Sequence, residues 1–221
     1  MATLAFDVYG TLINTHGMVD LLQRYIGAQK ALLFSMLWRD KQLEYSFRRS
    51  MMGCYEPFYR CTSDALSYCV DALDVAITPE QYSSLIEGYK NLPVYEDVVN
   101  CLDSMSELDE IDIYALTNGP RQDVERLFEG VAIGQYFKDI VSVDEIKKYK
   151  PDPAVYQHFL DRTGSDAKDS WLISSNTFDV IGASTFGMNS VWVKRTQQHR
   201  MDPWGRPTHT IGSLSELGTI V

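Results

Sequence analysis

Short apolar runs, several of them closed by Gly, Ser, Thr or Asn, recur along most of this chain, and stretches whose apolar positions return every three or four residues lie between them. Residues 3–10 form the first run and read as a buried strand that stops in a glycine turn. Residues 111–116, 139–143, 170–174 and 190–193 read as four further strands. Residues 121–129 and 153–163 carry a helical period. Strands alternating with helices predict an α/β fold, a Rossmann-like parallel sheet covered on both faces. Ligands of such sheets bind beyond the carboxyl ends of the strands. Asp7, Thr117 and the run Ser174-Ser175-Asn176 fall at those ends.

One long stretch breaks the alternation. Leu32, Leu33, Met36 and Leu37, then Leu43, Phe47 and Met51, recur at helical spacing. Residues 63–73 and 79–89 read as two more helices, the second with Thr78 as its cap and Pro79 at its first position. This pattern predicts a helical cap over residues 15–93, inserted into a core made of residues 1–14 and 94–221. The segment 197–208 carries Pro203, Gly205 and Pro207 and reads as a surface loop.

Composition narrows the function classes. A chain of 221 residues, 45% hydrophobic, is long enough for one substantial domain, or for a core domain with a smaller insertion. Its net charge of -10, with no basic run, argues against a nucleic-acid surface. An anionic substrate would have to be held by local cations against that field. The start, Met-Ala-Thr-Leu-Ala-Phe-Asp, lacks the basic and apolar regions of a signal peptide, and no apolar run is long enough to span a bilayer. A cytoplasmic protein without membrane contact is expected. Cys54, Cys61, Cys69 and Cys101 form no C-x-x-C pair and read as free thiols in a reducing compartment. His16, His158, His199 and His209 have no metal-ligand spacing and read as surface or structural residues. The absence of a Gly-x-Ser-x-Gly elbow argues against a serine hydrolase.

The chemistry concentrates in Asp7-Val8-Tyr9-Gly10-Thr11-Leu12. A carboxylate at a strand end, before a glycine turn, faces a ligand and is ringed by backbone N–H groups. It caps the turn or acts as a covalent nucleophile. This hexapeptide resembles the first motif of the haloacid dehalogenase superfamily. Thr117-Asn118-Gly119 resembles its second motif, Lys150 in Tyr149-Lys150-Pro151-Asp152 its third, and Ser174-Ser175-Asn176-Thr177-Phe178-Asp179 its acidic fourth. Phosphatase members carry a second Asp two residues after the nucleophile, and in this chain that position is Tyr9. A phenol, with an ordinary pKa of about 10, does not replace a carboxylate at neutral pH. Asp-x-Tyr-Gly-Thr is instead similar to the form found in the L-2-haloacid dehalogenases. Trp38-Arg39-Asp40-Lys41-Gln42-Leu43-Glu44-Tyr45 is similar to a cap segment of the same enzymes.

That resemblance implies hydrolytic dehalogenation of a small (S)-2-haloacid through an ester on Asp7, without a cofactor or metal. It implies a substrate carboxylate held by Thr117, Lys150 and backbone N–H groups at Val8 and Tyr9. Arg39, Asn118 and Phe178 would take the halide, and Asp179 would activate water. Thr11, Ser174, Ser175 and Asn176 would hold the reacting groups. Tyr156 matches a family site tyrosine, and as a residue alone reads equally as core. Tyr9, Leu43, Phe58 and Phe178 are candidates for the apolar wall, although Leu43 and Phe58 also fit ordinary cap core. Thr117 stands where the family form has Ser, and Asp40 where it often has Gln. Family members often form homodimers, and exposed apolar cap faces would suit one in this protein. A phosphatase of the superfamily and a haloacetate-preferring dehalogenase are the alternative readings.

Overall fold

A computed structural model describes all of residues 1–221. In chain order its elements are β1 (Ala2–Asp7), α1 (Met18–Ile26), α2 (Ala28–Met52), α3 (Phe58–Ala72), α4 (Pro79–Gly88), α5 (Val98–Ser106), β2 (Ile111–Thr117), α6 (Arg121–Gly130), β3 (Asp139–Ser142), α7 (Pro153–Thr163), β4 (Ser170–Ser174), α8 (Thr177–Phe186), β5 (Asn189–Val193) and β6 (His209–Ile211). The chain divides into two compact units, Met1–Ile13 with Val94–Val221, and Asn14–Pro93.

The first unit is a six-stranded sheet in the order β3-β2-β1-β4-β5-β6, with every neighbouring pair parallel. β1 is central, and Leu4, Ala5 and Phe6 are wholly buried. A strand covered on both faces needs no alternation, which is why it reads as a continuous apolar run. The winding reverses at β1: β2 and β3 lie to one side of it and β4 to β6 to the other. That reversal opens a crevice at the carboxyl ends of the central strands. Asp7, Thr117 and Ser174 are the last residues of β1, β2 and β4, so they stand together at that crevice.

Five of the strands coincide with the apolar runs of the sequence. The sixth, β6, does not. It has three residues, two of them exposed, and it pairs with Val191–Val193 along the sheet edge. An edge strand this short has no apolar period to read. The loop before it is pinned by Gly205, which is buried where any Cβ would lie 2.5 Å from the sulfur of Met201.

In the second unit, α2 is one helix of 25 residues that ends at Gly53 in the left-handed conformation, φ 66°. It buries Ala31, Phe34, Ser35, Trp38, Gln42 and Ser46. Leu32, Leu33, Met36 and Met51, whose spacing announced the helix, are exposed instead. Small side chains on the buried face leave room for the large Trp38, whose indole N–H donates to the Thr62 carbonyl at 2.8 Å and ties α2 to α3. The α3 helix begins at Phe58, ahead of the predicted 63, after Pro57. Thr78 and Gln81 form a reciprocal capping box at the start of α4, with Pro79 at its first position.

Cys54 is exposed before α3, and Cys61, Cys69 and Cys101 are buried. All four are free thiols. No helix is long and apolar enough to cross a membrane.

Candidate active site

The chain leaves β1 at Asp7 and turns at once. The Val8 carbonyl accepts the N–H groups of Leu12 at 3.0 Å and Ile13 at 2.9 Å, and Gly10 takes φ 93°, a conformation side chains rarely adopt. Val8 itself is wholly buried. The turn brings Thr11 back over the strand end, where its hydroxyl donates to Oδ2 of Asp7 at 2.6 Å. The Thr11 oxygen in turn accepts the Ser175 N–H at 2.8 Å, which fixes the direction of its proton. Oδ2 also accepts from Ser174 Oγ at 3.1 Å and from Asn176 Nδ2 at 2.7 Å. Oδ1 accepts only from Lys150 Nζ, at 3.0 Å. Burial alone would raise the Asp7 carboxyl. The Lys150 charge and the hydrogen bonds from Thr11, Lys150 and Asn176 outweigh it and hold the group below its ordinary range.

Lys150 is 1% exposed. Its ammonium has three protons and three acceptors: Asp7 Oδ1, Asp179 Oδ2 at 2.7 Å and the Leu116 carbonyl at 2.7 Å. Burial acts to lower its pKa, but the two carboxylates, Asp179 first, prevail and raise it. Asp179 sits in the first turn of α8 and is wholly buried. Its second oxygen, Oδ1, accepts from the Tyr156 hydroxyl at 2.9 Å. Burial, with the Asp7 charge added, pushes its carboxyl up to about 6 against the pull of Lys150. The two carboxylates therefore differ: one is firmly ionised, and the other is poised near neutrality. Burial raises the Tyr156 phenol well above its usual value, so it stays a donor.

Thr117 and Asn118 close the crevice from β2. Thr117 Oγ1 accepts the Gly119 N–H at 2.9 Å, which leaves its proton to donate elsewhere. Asn118 Oδ1 accepts the Lys150 N–H at 3.1 Å, so its amide N–H groups remain as donors. Tyr9 packs where a Cβ on Gly119 would lie, 3.0 Å from its ring, and its carbonyl accepts from Asn176 at 3.0 Å. Phe178, half-buried, lines a cleft of about 530 Å³ with Pro151, Ile181 and Trp204.

The sheet unit thus brings together Asp7, Thr11, Thr117, Asn118, Lys150, Tyr156, Ser174, Ser175, Asn176 and Asp179. Three expected residues belong to the helical unit. Arg39 is half-buried on α2, with Nη1 3.5 Å from Oε1 of Gln42. Leu43 is half-buried on α2, and Phe58 is buried at the start of α3. Asp40 is exposed on α2. Two supports carried no sequence signal. Trp192 donates from Nε1 to the Ser175 carbonyl at 3.2 Å, and Gly182 leaves the space that Tyr156 fills.

Comparison with known proteins gives a consistent result. A model of the haloacid dehalogenase-like hydrolases matches residues 1–187. The chain is 32% identical to (S)-2-haloacid dehalogenase 2 of Pseudomonas sp. (strain CBS-3), over 99% of this chain and 94% of that protein. It is 32% identical to (S)-2-haloacid dehalogenase 4A of Burkholderia cepacia, over 96% and 91% of the two chains. Among solved structures, it resembles L-2-haloacid dehalogenase from Xanthobacter autotrophicus with chloropropionic acid covalently bound. There the TM-score is 0.91 at 26% identity, over 100% of this chain and 98% of that one.

Proposed function

The chain belongs to the haloacid dehalogenase-like hydrolases, and from that premise we propose that it is an (S)-2-haloacid dehalogenase, a hydrolase of carbon–halogen bonds that works through an ester on Asp7. The observation that carries this reading is the asymmetric bonding of Asp7. Oδ2 accepts three hydrogen bonds, while Oδ1 accepts one, so Oδ1 is the oxygen with lone pairs to spend on a substrate carbon.

In the first step Oδ1 attacks the carbon bearing halogen, the carbon–halogen bond breaks, and halide leaves with its electron pair. Inversion at that carbon gives the D-hydroxyacid in the end. Thr117 and the backbone N–H groups of Val8 and Tyr9 hold the substrate carboxylate, with Lys150 supplying positive charge. Asn118, Phe178 and Arg39 receive the halide. The assignment of Arg39 and Phe178 to the halide, and of Leu43 and Phe58 to the apolar wall, rests on the family resemblance of their segments. In the second step Asp179 takes a proton from water, and the hydroxide adds to Cγ of Asp7. The negative charge that develops falls on Oδ2, where Thr11, Ser174 and Asn176 already donate. Donors fixed in advance at a developing oxyanion lower the barrier without reorganising. The bond between Cγ and the former Oδ1 then breaks, that oxygen takes the proton back from Asp179 and leaves as the hydroxyl of the hydroxyacid, and Asp7 is regenerated as a carboxylate with one oxygen from water, its remaining proton passing to solvent.

A single turnover of 2-chloropropionate in water labelled with heavy oxygen tests this: label should enter Asp7 and not the product. Label in the product of the first turnover refutes the ester. A parallel trial with an aryl phosphate, with and without Mg²⁺ and a chelator, tests the competing chemistry. Tyr9 at the position of the phosphatase acid leads us to expect chelator-insensitive haloacid turnover and no phosphate release. A cytoplasmic homodimer belongs to the same reading. Exposed Leu32, Leu33 and Met36 on α2 support a second copy there, and light scattering in solution tests it.

A further inference from the structure

Arg195 follows β5 and is not among the residues assigned to the substrate, yet its side chain is only 6% exposed. Nη1 donates to both carboxylate oxygens of Asp97, at 2.8 and 2.7 Å. Nη2 donates to the main-chain carbonyl of Thr11 at 2.6 Å. The guanidinium lies 4.1 Å from the centre of the Tyr95 ring. Its Nε is buried without a hydrogen-bond partner. A buried charge with an unmet donor is a costly feature to maintain.

Asp97 is equally committed. It occupies the N-cap position of α5, where an Asp ordinarily caps its own helix, but its side chain makes no capping bond. Oδ2 instead accepts from Ser213 Oγ and from the Leu214 N–H, each at 2.8 Å, besides Arg195. The carboxylate is therefore fastened to the C-terminal segment, and through it the guanidinium is fixed in place.

What the guanidinium holds is the residue that caps the nucleophile. Thr11 has a main-chain carbonyl fixed by Arg195 and a hydroxyl that donates to Asp7 Oδ2 at 2.6 Å. The neighbouring turn bonds reach only the Thr11 N–H, at 3.3 Å from the Val8 carbonyl. We propose that Arg195, with Asp97 as its counter-ion, is a positioning residue for the nucleophile: it sets the Thr11 carbonyl, and so the aim of the Thr11 hydroxyl on Asp7. Lysine is a poor substitute, because a single ammonium lacks the planar fork that reaches a carboxylate and a carbonyl together.

This inference rests on the Asp7 reading, and its test separates the two. Halide release in a single turnover of 2-chloropropionate is measured below the melting temperature for wild type, Arg195→Met, Thr11→Ala and the double variant. A misplacement of about 1 Å at a reacting group can cost about 10²-fold in rate. Arg195→Met should slow ester formation by about 10- to 100-fold, with little change in KM, and Arg195→Lys should recover part of the loss. If the effect passes through Thr11, adding Arg195→Met to Thr11→Ala slows the reaction no further. Should Arg195→Met fail to fold, Arg195→Met with Asp97→Asn removes both charges and enters the same cycle. A folded Arg195 variant that forms ester at the wild-type rate overturns the proposal, as do penalties that multiply in the double variant. A wild-type protein inert toward 2-haloacids overturns the Asp7 reading itself, and the role of Arg195 falls with it.

Discussion

The hydroxyl of Tyr156 grips Asp179 at two places, 2.9 Å from Oδ1 and 3.1 Å from the main-chain carbonyl of the same residue. The side chain and backbone of the proposed base are thus held by one buried phenol, and the other carboxylate oxygen is held by Lys150. Tyr156 is fully buried, so it acts on Asp179 from behind. Tyr156→Phe removes a donor to the ionised form of Asp179 and keeps the ring. Its absence should raise the Asp179 pKa further, since that hydrogen bond lowers it. The acid limb of ester hydrolysis should then move to higher pH, with a loss of about tenfold in that step at neutral pH and near-normal ester formation. Single-turnover halide release against product release resolves the two steps. Equal slowing of both steps would mean that Tyr156 does not act through Asp179 alone.

Lys150 joins the two carboxylates, and its removal leaves both buried without a cation. Lys150→Met preserves much of the volume. Breaking such a buried pair costs about 3–5 kcal/mol. Urea unfolding should show that loss at neutral pH, and a smaller one in mild acid, where the carboxylates can protonate and shed their unpaired charge. Haloacid turnover should vanish at both. A loss of stability independent of pH would mean that packing, not charge, is what Lys150 supplies.

The pH dependence follows from the opposite shifts of Asp7 and Asp179. As the proposed base, Asp179 has to be ionised to take a proton from water, and its carboxyl is pushed up to about 6. Ester hydrolysis should fall as pH drops through about 6, while Asp7, held below its ordinary range, continues to form ester. Below that value a rapid release of about one halide per site should precede slow turnover. For stability the signs differ. The raised pKa of Asp179 means that its contribution is complete below the unfolded value of 3.8 and is lost as pH rises to about 6. The lowered pKa of Asp7 means that its contribution is present above 3.8 and is lost in acid. Asp179→Asn should therefore gain stability relative to wild type on going from about pH 4 to about pH 7, as read by urea midpoints. A gap that narrows in the other direction would contradict the assigned shift.

The site was legible in the sequence where chemistry and chain position coincide. Asp7, Thr117 and Ser174 end parallel strands, so an apolar run followed by a polar residue marks each of them. The residues that hold the site left no such mark. Arg195 and Asp97 lie far apart in the chain, and neither sits in a motif, because a pairing made by the fold has no fixed spacing. The α2 helix shows a related limit. Its period was visible in Leu32, Leu33 and Met36, but the buried face is the one with Ala31, Ser35, Gln42 and Ser46 around Phe34 and Trp38. Apolar period reports that a helix exists, and close packing against α3 decides which side turns inward. β6 was missed because an exposed three-residue edge strand gains its order from β5, not from its own side chains.

Gly182 shows how closely the Tyr156 grip depends on the helix beside it. A Cβ at Gly182 would lie 2.3 Å from the Tyr156 hydroxyl and 2.7 Å from Cβ of Pro151. In a free helix Gly to Ala gains about 1 kcal/mol. In α8 the added methyl meets a buried ring that has nowhere to swing, and overpacking of that kind costs about 1–3 kcal/mol. The clash should win, so Gly182→Ala should melt lower than wild type. Displacement of the hydroxyl should also move the acid limb of ester hydrolysis upward, as Tyr156→Phe does. Because most of the contact is with the hydroxyl, Tyr156→Phe should recover part of the stability lost by Gly182→Ala when the two are combined. Urea denaturation of the four proteins measures that coupling. Purely additive losses would mean that α7 and α8 meet elsewhere, and that the space at Gly182 does not hold the phenol on Asp179.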